Sequence, residues 1–125
     1  MTNGNKKILL IEDDDTLVEM YTLKFQQEGL DLITVQDGLS GLETAKSELP
    51  IVILLDVMMP KMDGFAVLTE LKKDDKTKDI PVLLLSNLGQ KSDIEKGEKL
   101  GANDYIVKAS MTPTQVLEKV KSFLK

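Results

Sequence analysis

The sequence of 125 residues contains no cysteine and no histidine, and all sixteen of its basic residues are lysines. The absence of cysteine excludes disulfides, thiolate catalysis and zinc–thiolate sites, and it fits a reducing compartment. Without histidine, the chain cannot use Ser/His or Cys/His catalysis and cannot carry a phosphohistidine. Without arginine, it lacks the forked guanidinium group that pairs with guanine edges and phosphates, so we expect no nucleic-acid binding.

Long apolar runs are also absent. No stretch is long enough to span a membrane, and the N-terminus from Met1 to Lys7 has no signal-peptide core. We therefore expect no membrane partner and a cytoplasmic location. The composition is that of an ordinary globular domain, with 42% hydrophobic and 30% charged residues and a net charge of −5. A chain of this length can bury one core, so we expect a single domain over residues 1–125.

The stretch from Ile51 to Gly64, which reads IVILLDVMMPKMDG, organises the rest of the chain. Its unbroken apolar run, bounded by Pro50 and by a loop, predicts a strand that is buried on both faces. The run ends in a carboxylate, Asp56, and turn residues follow. Open α/β sheets bind ligands at the carboxyl ends of their strands, which favours Asp56 as a ligand-site residue. The alternative at this point is an Asp that only favours the turn.

The whole chain alternates strand and helix signals and so contains five βα units. Short connections between such units imply a parallel sheet with helices on both faces, which is a doubly wound α/β fold. The predicted strands are Lys7–Ile11, Leu32–Val35, Ile51–Leu55, Val82–Leu85 and Tyr105–Val107.

Helix starts are predicted from residues that cap the first backbone N–H groups. The predicted capping residues are Asp15 or Thr16, Asp37, Asp63, Ser92 and Thr112. Thr16, Ser92 and Thr112 are each followed three residues later by Glu or Gln, which is the pattern of a capping box. Gly97 lies in the middle of the fourth helix and costs about 1 kcal/mol relative to alanine. It has two interpretations, namely a helix that opens easily or close packing of that helix on the sheet.

The polar residues at the predicted strand ends are Glu12, Asp13, Asp56, Ser86 and Lys108. A parallel sheet brings these ends to one edge, where three carboxylates would repel one another. A divalent cation relieves that repulsion, and oxygen ligands without His or Cys favour Mg²⁺. A carboxylate nucleophile, a hard cation, a lysine and a hydroxyl together predict a site for a phosphoryl group.

Four motifs resemble the receiver domains of two-component response regulators, over essentially the whole chain. They are ILLIEDDDTL (Ile8 to Leu17), LLDVMMPKMDG (Leu54 to Gly64), LLLSN (Leu83 to Asn87) and GANDYIVKA (Gly101 to Ala109). The resemblance is to the single-domain, chemotaxis-regulator type, and it identifies residues 1–125 as one receiver domain. It also implies the flavodoxin-like strand order 2-1-3-4-5.

The resemblance implies a role for each acidic residue. Asp56 would be the phosphoacceptor, which attacks a phosphohistidine on a partner histidine kinase or phosphotransfer protein. Asp13 would bind Mg²⁺ directly together with Asp56, and Glu12 would act through water. The backbone carbonyl of Met58 would supply the remaining protein ligand.

The resemblance also assigns the groups that respond to phosphorylation. Ser86 would shift toward the phosphoryl group, Lys108 would pair with it, and Tyr105 would turn inward as a switch. The signal would leave through the fourth helix, the fifth strand and the fifth helix toward a downstream protein. The chemistry would be limited to self-catalysed phosphotransfer and hydrolysis, so the chain would not be an enzyme toward other substrates.

The chain departs from the family pattern near Lys108 and near the phosphoacceptor. The family has a proline after the lysine, in a cis peptide, whereas this chain has Ala109. We expect the cis geometry to be kept at Lys108–Ala109, although it costs about 2.5–4 kcal/mol without proline. Met58 and Leu88 are apolar at positions that overhang the phosphoryl group in the family, which predicts slow dephosphorylation.

Other function classes fit less well. A haloacid-dehalogenase-type phosphatase also forms an aspartyl phosphate, but it needs a second Asp where this chain has Met58. A flavodoxin-like FMN protein needs a phosphate-binding loop rich in Ser, Thr and Gly after the first strand, and none follows it. A pseudo-receiver, which uses the fold only for protein contacts, is the remaining alternative. The complete set of acidic residues with Ser86 and Lys108 argues against it.

Overall fold

A computed structural model describes residues 7–59, 61–87 and 91–124. Within them, five strands form one sheet in which every neighbouring pair is parallel. The strands are β1 (Lys7–Ile11), β2 (Asp31–Val35), β3 (Val52–Asp56), β4 (Val82–Ser86) and β5 (Asp104–Val107). Their order is β2-β1-β3-β4-β5, which confirms the predicted flavodoxin-like fold.

Helices follow the strands and cover both faces of the sheet. They are α1 (Asp15–Gln27), α2 (Gly38–Glu48), α3 (Gly64–Lys73), α4 (Lys91–Lys99) and α5 (Pro113–Lys121), with a 3₁₀ turn at Lys108–Ser110. Successive strand side chains point to opposite faces, so β1 contributes to two separate cores. Ile8 and Leu10 pack with α1 and α5, whereas Leu9 and Ile11 pack with α2 and α3.

The two central strands, β3 and β4, are buried along their whole lengths. This explains why their sequences are continuous apolar runs without polar alternation. The last residue of each strand, Asp56 and Ser86, is polar but also buried, with 4% and 7% of its surface exposed. Burial of a carboxylate is costly unless it is paired, so the end of β3 requires partners.

Three of the predicted helix caps are confirmed. The side chains of Asp37 and Asp63 accept hydrogen bonds from the backbone N–H groups of Ser40 and Ala66. Thr112 forms the predicted capping box at the start of α5, with both reciprocal hydrogen bonds present.

Two predicted caps are wrong. The residue that caps α1 is Asp14, whose side chain accepts from the N–H of Leu17, so Asp15 and Thr16 lie inside the helix. Asp14 begins the helix one residue before Asp15 and two before Thr16, and Asp is a better N-cap residue than Thr. Ser92 lies within α4, which begins at Lys91, so it cannot be an N-cap. The residue before Lys91 is outside the described part of the chain.

The strand register brings the predicted site residues to one edge of the sheet. Asp56 lies opposite Leu85 of β4, and Ser86 lies opposite Val107 of β5. Lys108 follows β5 directly, and Glu12 follows β1. In the described part of the chain, no helix is both long enough and apolar enough to cross a membrane.

Candidate functional site

Asp56 is held at the end of β3 by two donors. Its Oδ1 atom accepts a hydrogen bond from the backbone N–H of Met58 at 3.1 Å. Its Oδ2 atom accepts one from the Lys108 ammonium at 3.0 Å. Both donors hold the Asp56 side chain in place, and a carboxylate oxygen in such a position can act as a nucleophile.

Lys108 also contacts the second buried carboxylate. Its Nζ atom lies 2.6 Å from Oε1 of Glu12, a residue with no exposed surface. At this distance the ammonium and the buried Oε1 atom form a close ion pair. The other oxygen, Oε2, accepts from the backbone N–H of Asp14 at 3.0 Å. One ammonium is therefore shared by two carboxylates in this site.

Burial and neighbouring charges together shift the pKa values of Glu12 and Lys108. The pKa of Glu12 is raised to about 7, mainly by burial and also by the nearby Asp56, while Lys108 opposes the rise. Burial alone would lower the pKa of Lys108, but the two carboxylates outweigh burial and raise it. Lys108 is thus held charged, whereas Glu12 exchanges a proton near neutral pH.

Three carboxylates form a group that could hold a metal ion. Oxygen atoms of Glu12, Asp13 and Asp56 lie within 4.8 Å of one another, and Asp13 is exposed while the other two are buried. All three offer hard oxygen ligands, as Mg²⁺ requires. Glu12 and Asp56 already contact one cation, the Lys108 ammonium, so this group of carboxylates binds positive charge in the folded protein. The residues present therefore fit the predicted Mg²⁺ site.

Of the other predicted site residues, Ser86 and Met58 lie beside this group, and Tyr105 lies on the edge strand. Ser86 is buried at the end of β4, beside the strand that carries Asp56. Tyr105 is half-buried in β5 and borders a cavity of about 150 Å³ between α4 and β5. Met58 is 77% exposed, while its backbone N–H contacts Asp56. Leu88, the second apolar residue predicted to overhang the site, lies outside the described residues.

The expected cis peptide at Lys108–Ala109 is wrong. The described residues contain no cis peptide bond, and residues 108–110 form a 3₁₀ turn instead. Lys108 nevertheless reaches Asp56 at 3.0 Å. A trans bond avoids the cost of a non-proline cis bond, and the turn lets the long lysine side chain reach the carboxylates.

Sequence reasoning missed the backbone donors of the site. The N–H groups of Met58 and Asp14 hold the two buried carboxylates, but any residue except proline can supply such a donor. It also missed that Lys108 pairs with Glu12 as well as with Asp56. Neither feature can be predicted from residue types, because both depend on how the loops after β1 and β3 fold.

Comparison with known proteins gives a consistent assignment. A family model described as the response regulator receiver domain matches residues 8–121. The chain is 37% identical over 119 residues to RpaA of Synechocystis, described as a DNA-binding dual master transcriptional regulator. That match covers 95% of this chain and 49% of RpaA. The chain spans about half the length of the curated relatives it matches.

Solved structures of similar proteins share the whole fold. The chemotaxis protein CheY4 of Vibrio cholerae has a TM-score of 0.89 and 26% identity, covering 97% of this chain and all (100%) of that one. The phosphorylated cyanobacterial phytochrome response regulator RcpA has a TM-score of 0.80 and 32% identity. That match covers 95% of this chain and 91% of RcpA.

Proposed function

This chain belongs to the family of response regulator receiver domains, and we propose on that basis that it accepts a phosphoryl group on Asp56. The donor is a phosphohistidine on a partner histidine kinase or phosphotransfer protein. The observation that carries the proposal is the Asp56 carboxylate, buried at a strand end and held by the Met58 N–H and the Lys108 ammonium. Two further carboxylates adjoin it, which is the arrangement for a hard cation and a phosphoryl group.

The transfer exchanges one bond to phosphorus for another. A carboxylate oxygen of Asp56 attacks phosphorus, a P–O bond forms and the P–N bond of the phosphohistidine breaks. The electron pair of the broken bond stays on the imidazole nitrogen of the partner. In the later hydrolysis, water attacks phosphorus, the P–O bond to Asp56 breaks, and inorganic phosphate leaves. Both steps are self-catalysed by the receiver domain.

Two side chains and a bound cation would stabilise the charge that accumulates on the phosphoryl oxygens. The Lys108 ammonium, already 3.0 Å from Asp56, pairs with one of these oxygens. Ser86, at the end of the neighbouring strand, donates its hydroxyl to another. Glu12, Asp13, Asp56 and the Met58 carbonyl would hold Mg²⁺, which supplies positive charge that offsets the repulsion between the carboxylates and the phosphoryl group.

The output is made through protein contacts on the face formed by α4, β5 and α5. Tyr105 lies on this face and borders the cavity between α4 and β5. Space beside an aromatic side chain lets it change position when Ser86 moves, which biases a conformational equilibrium. The chain lacks arginine, so we assign the receiver domain a protein target and no nucleic acid.

Phosphorylation with a small donor tests the proposal. Acetyl phosphate with Mg²⁺ should phosphorylate the wild type, and peptide mass spectrometry should place the modification on Asp56. Asp56→Asn should abolish it, whereas Asp75→Asn, which changes an almost fully exposed carboxylate, should not. EDTA should prevent the reaction. Undiminished phosphorylation of Asp56→Asn, or a reaction that ignores EDTA, would contradict the proposal, and an unreactive wild type would identify a pseudo-receiver.

A further inference from the structure

The connection between β3 and α3, residues 57–63, sets the position of one of the two donors to Asp56. Met58 lies in this connection, and its N–H binds Oδ1 of Asp56 at 3.1 Å. Met58 itself is 77% exposed, so packing of its own side chain does not fix that N–H in place. Val57, just before Met58, is 7% exposed and donates its N–H to the carbonyl of Leu85 at 2.9 Å. The near end of the connection is therefore fixed on the sheet, and the direction of the Met58 N–H depends on how the far end is held. All of its residues except residue 60 are described.

The far end of the connection, where α3 begins, contacts the backbone at the end of β3. Gly64, the first residue of α3, donates its N–H to the carbonyl of Val57 at 2.8 Å. A β-carbon on Gly64 would lie 2.7 Å from Cα of Val57, far inside the ordinary contact distance of about 3.4 Å. The start of α3 therefore touches the backbone beside Asp56, and only glycine permits this approach.

The connection also packs against the start of α2, a helix that supplies no residue to the site. Gly38, the first residue of α2, packs against the backbone of Met62. A β-carbon on Gly38 would lie 2.7 Å from the carbonyl carbon of Met62 and closer still to its oxygen. A backbone carbonyl cannot rotate away as a side chain can, so a larger residue would have to push the connection.

The neighbours of Gly38 hold this contact in place. Asp37 caps α2 through the N–H and hydroxyl of Ser40, at 2.8 Å and 3.0 Å. Lys61, next to Met62, has a φ of 68°, which is uncommon for a residue with a side chain. Its ammonium lies 4.0 Å from Asp37. The start of α2 and the connection therefore meet through backbone that has little freedom to adjust.

We propose that Gly38 is a positioning residue for phosphoryl transfer to Asp56. The start of α2 is the surface against which the β3–α3 connection rests, and this contact sets where the Met58 N–H stands beside the carboxylate. The inference rests on the proposed function of Asp56 as phosphoacceptor. A methyl group at position 38 shifts the connection by roughly 1 Å, and a shift of that size slows a positioned reaction about 10- to 100-fold.

The test compares Gly38→Ala with Gly41→Ala, one turn further along α2. A β-carbon at Gly41 would lie 2.5 Å from Cδ1 of the buried Ile11, so this control also crowds the core but does not touch the connection. Both variants should melt at a lower temperature than the wild type. Well below those temperatures, only Gly38→Ala should be phosphorylated more slowly than the wild type by acetyl phosphate with Mg²⁺, as measured by the rate at which the phosphorylated protein forms.

A spectroscopic readout separates positioning from general destabilisation. The amide resonance of Met58 reports its hydrogen bond to Asp56, and it should move in Gly38→Ala but not in Gly41→Ala. A wild-type rate of phosphorylation together with an unmoved Met58 resonance in Gly38→Ala overturns the inference. Equal losses of phosphorylation rate in the two alanine variants overturn it as well.

A measurement on the wild type covers the case in which Gly38→Ala does not fold. Mg²⁺ with beryllofluoride, bound at Asp56, should shift the amide resonances of Met62 and Gly38 but not those of the second half of α2. Unmoved resonances at Met62 and Gly38 overturn the inference. A wild type that acetyl phosphate does not phosphorylate overturns the proposed function instead, because the resting position of the Met58 amide is measured without any phosphoryl group.

Discussion

Lys108 is the residue on which the charge balance of the site depends. It is 10% exposed and lies 2.6 Å from Glu12 and 3.0 Å from Asp56. Removing one member of such a buried group leaves the others uncompensated, which costs about 3–5 kcal/mol. Removal of the lysine also frees the two carboxylates to bind a metal cation in its place.

We expect Lys108→Met to destabilise the metal-free protein by about 3 kcal/mol. Its Mg²⁺ affinity should rise about tenfold or more, because a unit charge beside the carboxylates is worth several kcal/mol even at a high effective dielectric constant. Urea denaturation in EDTA and calorimetric Mg²⁺ titration measure the two effects. Lys119→Met, which breaks the pair with Asp104 away from the site, is the control. Weaker Mg²⁺ binding in Lys108→Met would refute the expected competition.

Glu12 makes the stability of the metal-free protein depend on pH. Burial raises the pKa of Glu12 from its ordinary value of 4.5 to about 7 in the folded protein. Between these values, the folded protein retains a proton that the unfolded chain has released. The contribution of Glu12 to the free energy of unfolding is therefore full below about pH 4.5 and is lost as the pH rises to about 7.

Glu12→Gln should remove this dependence. Urea denaturation in EDTA at several pH values gives the free energy of unfolding for both proteins. The wild type should lose stability relative to Glu12→Gln as the pH rises from 4.5 to 7, and the difference should be constant above that range. Parallel curves across the whole range would show that the pKa of Glu12 is not raised.

Met58 lies beside Asp56, and we expect its side chain to affect how fast water removes a phosphoryl group from that residue. The side chain is apolar and 77% exposed, and its backbone N–H binds the Asp56 carboxylate. An apolar side chain there offers an attacking water no hydrogen bond. We expect Met58→Asn to lose its phosphoryl group several-fold faster than the wild type, as measured by the decay of the phosphorylated protein. Met20→Asn, an exposed methionine of α1, is the control. Slower decay in Met58→Asn would be contrary to expectation.

At the level of the helices, α4 and α5 are anchored to different extents. Among the residues of α4, only Gly97 is buried, whereas α5 buries Val116, Leu117 and Val120. A β-carbon at Gly97 would lie 2.5 Å from Cδ1 of Leu84, a fully buried residue of β4. The structure therefore supports the interpretation that Gly97 permits close packing on the sheet. The shallow burial of the rest of α4 still predicts easy local opening.

Hydrogen exchange should show weaker protection in α4 than in α5. Gly97→Ala should weaken it further and destabilise the protein by about 1 kcal/mol. The reason is that crowding Leu84 costs about 1–3 kcal/mol, which exceeds the gain of about 1 kcal/mol in helix propensity. Exchange rates along α4 and α5 and the midpoint of urea denaturation measure both effects. Protection in α4 equal to that in α5 would show that this helix is held as firmly as the core.

For the whole molecule, a ligand that binds at this site should stabilise the fold. A ligand that binds only the folded state raises the melting temperature, and the rise grows with the logarithm of its concentration once this exceeds the dissociation constant. Mg²⁺ with beryllofluoride should raise the melting temperature of the wild type by several degrees, and the rise should increase with concentration. Asp56→Asn should show little of this increase. An equal increase in both proteins would place the binding elsewhere.

The sequence by itself determined the class of fold and the residues at the strand ends. Continuous apolar runs, glycines and prolines are local signals, and the right-handed connection of βα units leaves few possible topologies. Caps such as Asp37, Asp63 and Thr112 could be predicted because the capping residue and the N–H groups it binds are neighbours in the chain. The strand order came from the resemblance to receiver domains.

Only the tertiary structure decided what the long-range contacts look like. It placed Lys108 between two carboxylates through a trans bond, and it seated Gly38 on the backbone of Met62. The sequence placed Lys108 at a strand end, but it did not show that this lysine contacts Glu12 as well as Asp56, and it did not distinguish Gly38 from the other glycines. Their partners lie far away in the chain, and the packing of helices on the sheet brings them together. The role of a backbone donor such as the Met58 N–H could not be predicted from the sequence either, because nearly every residue type supplies one.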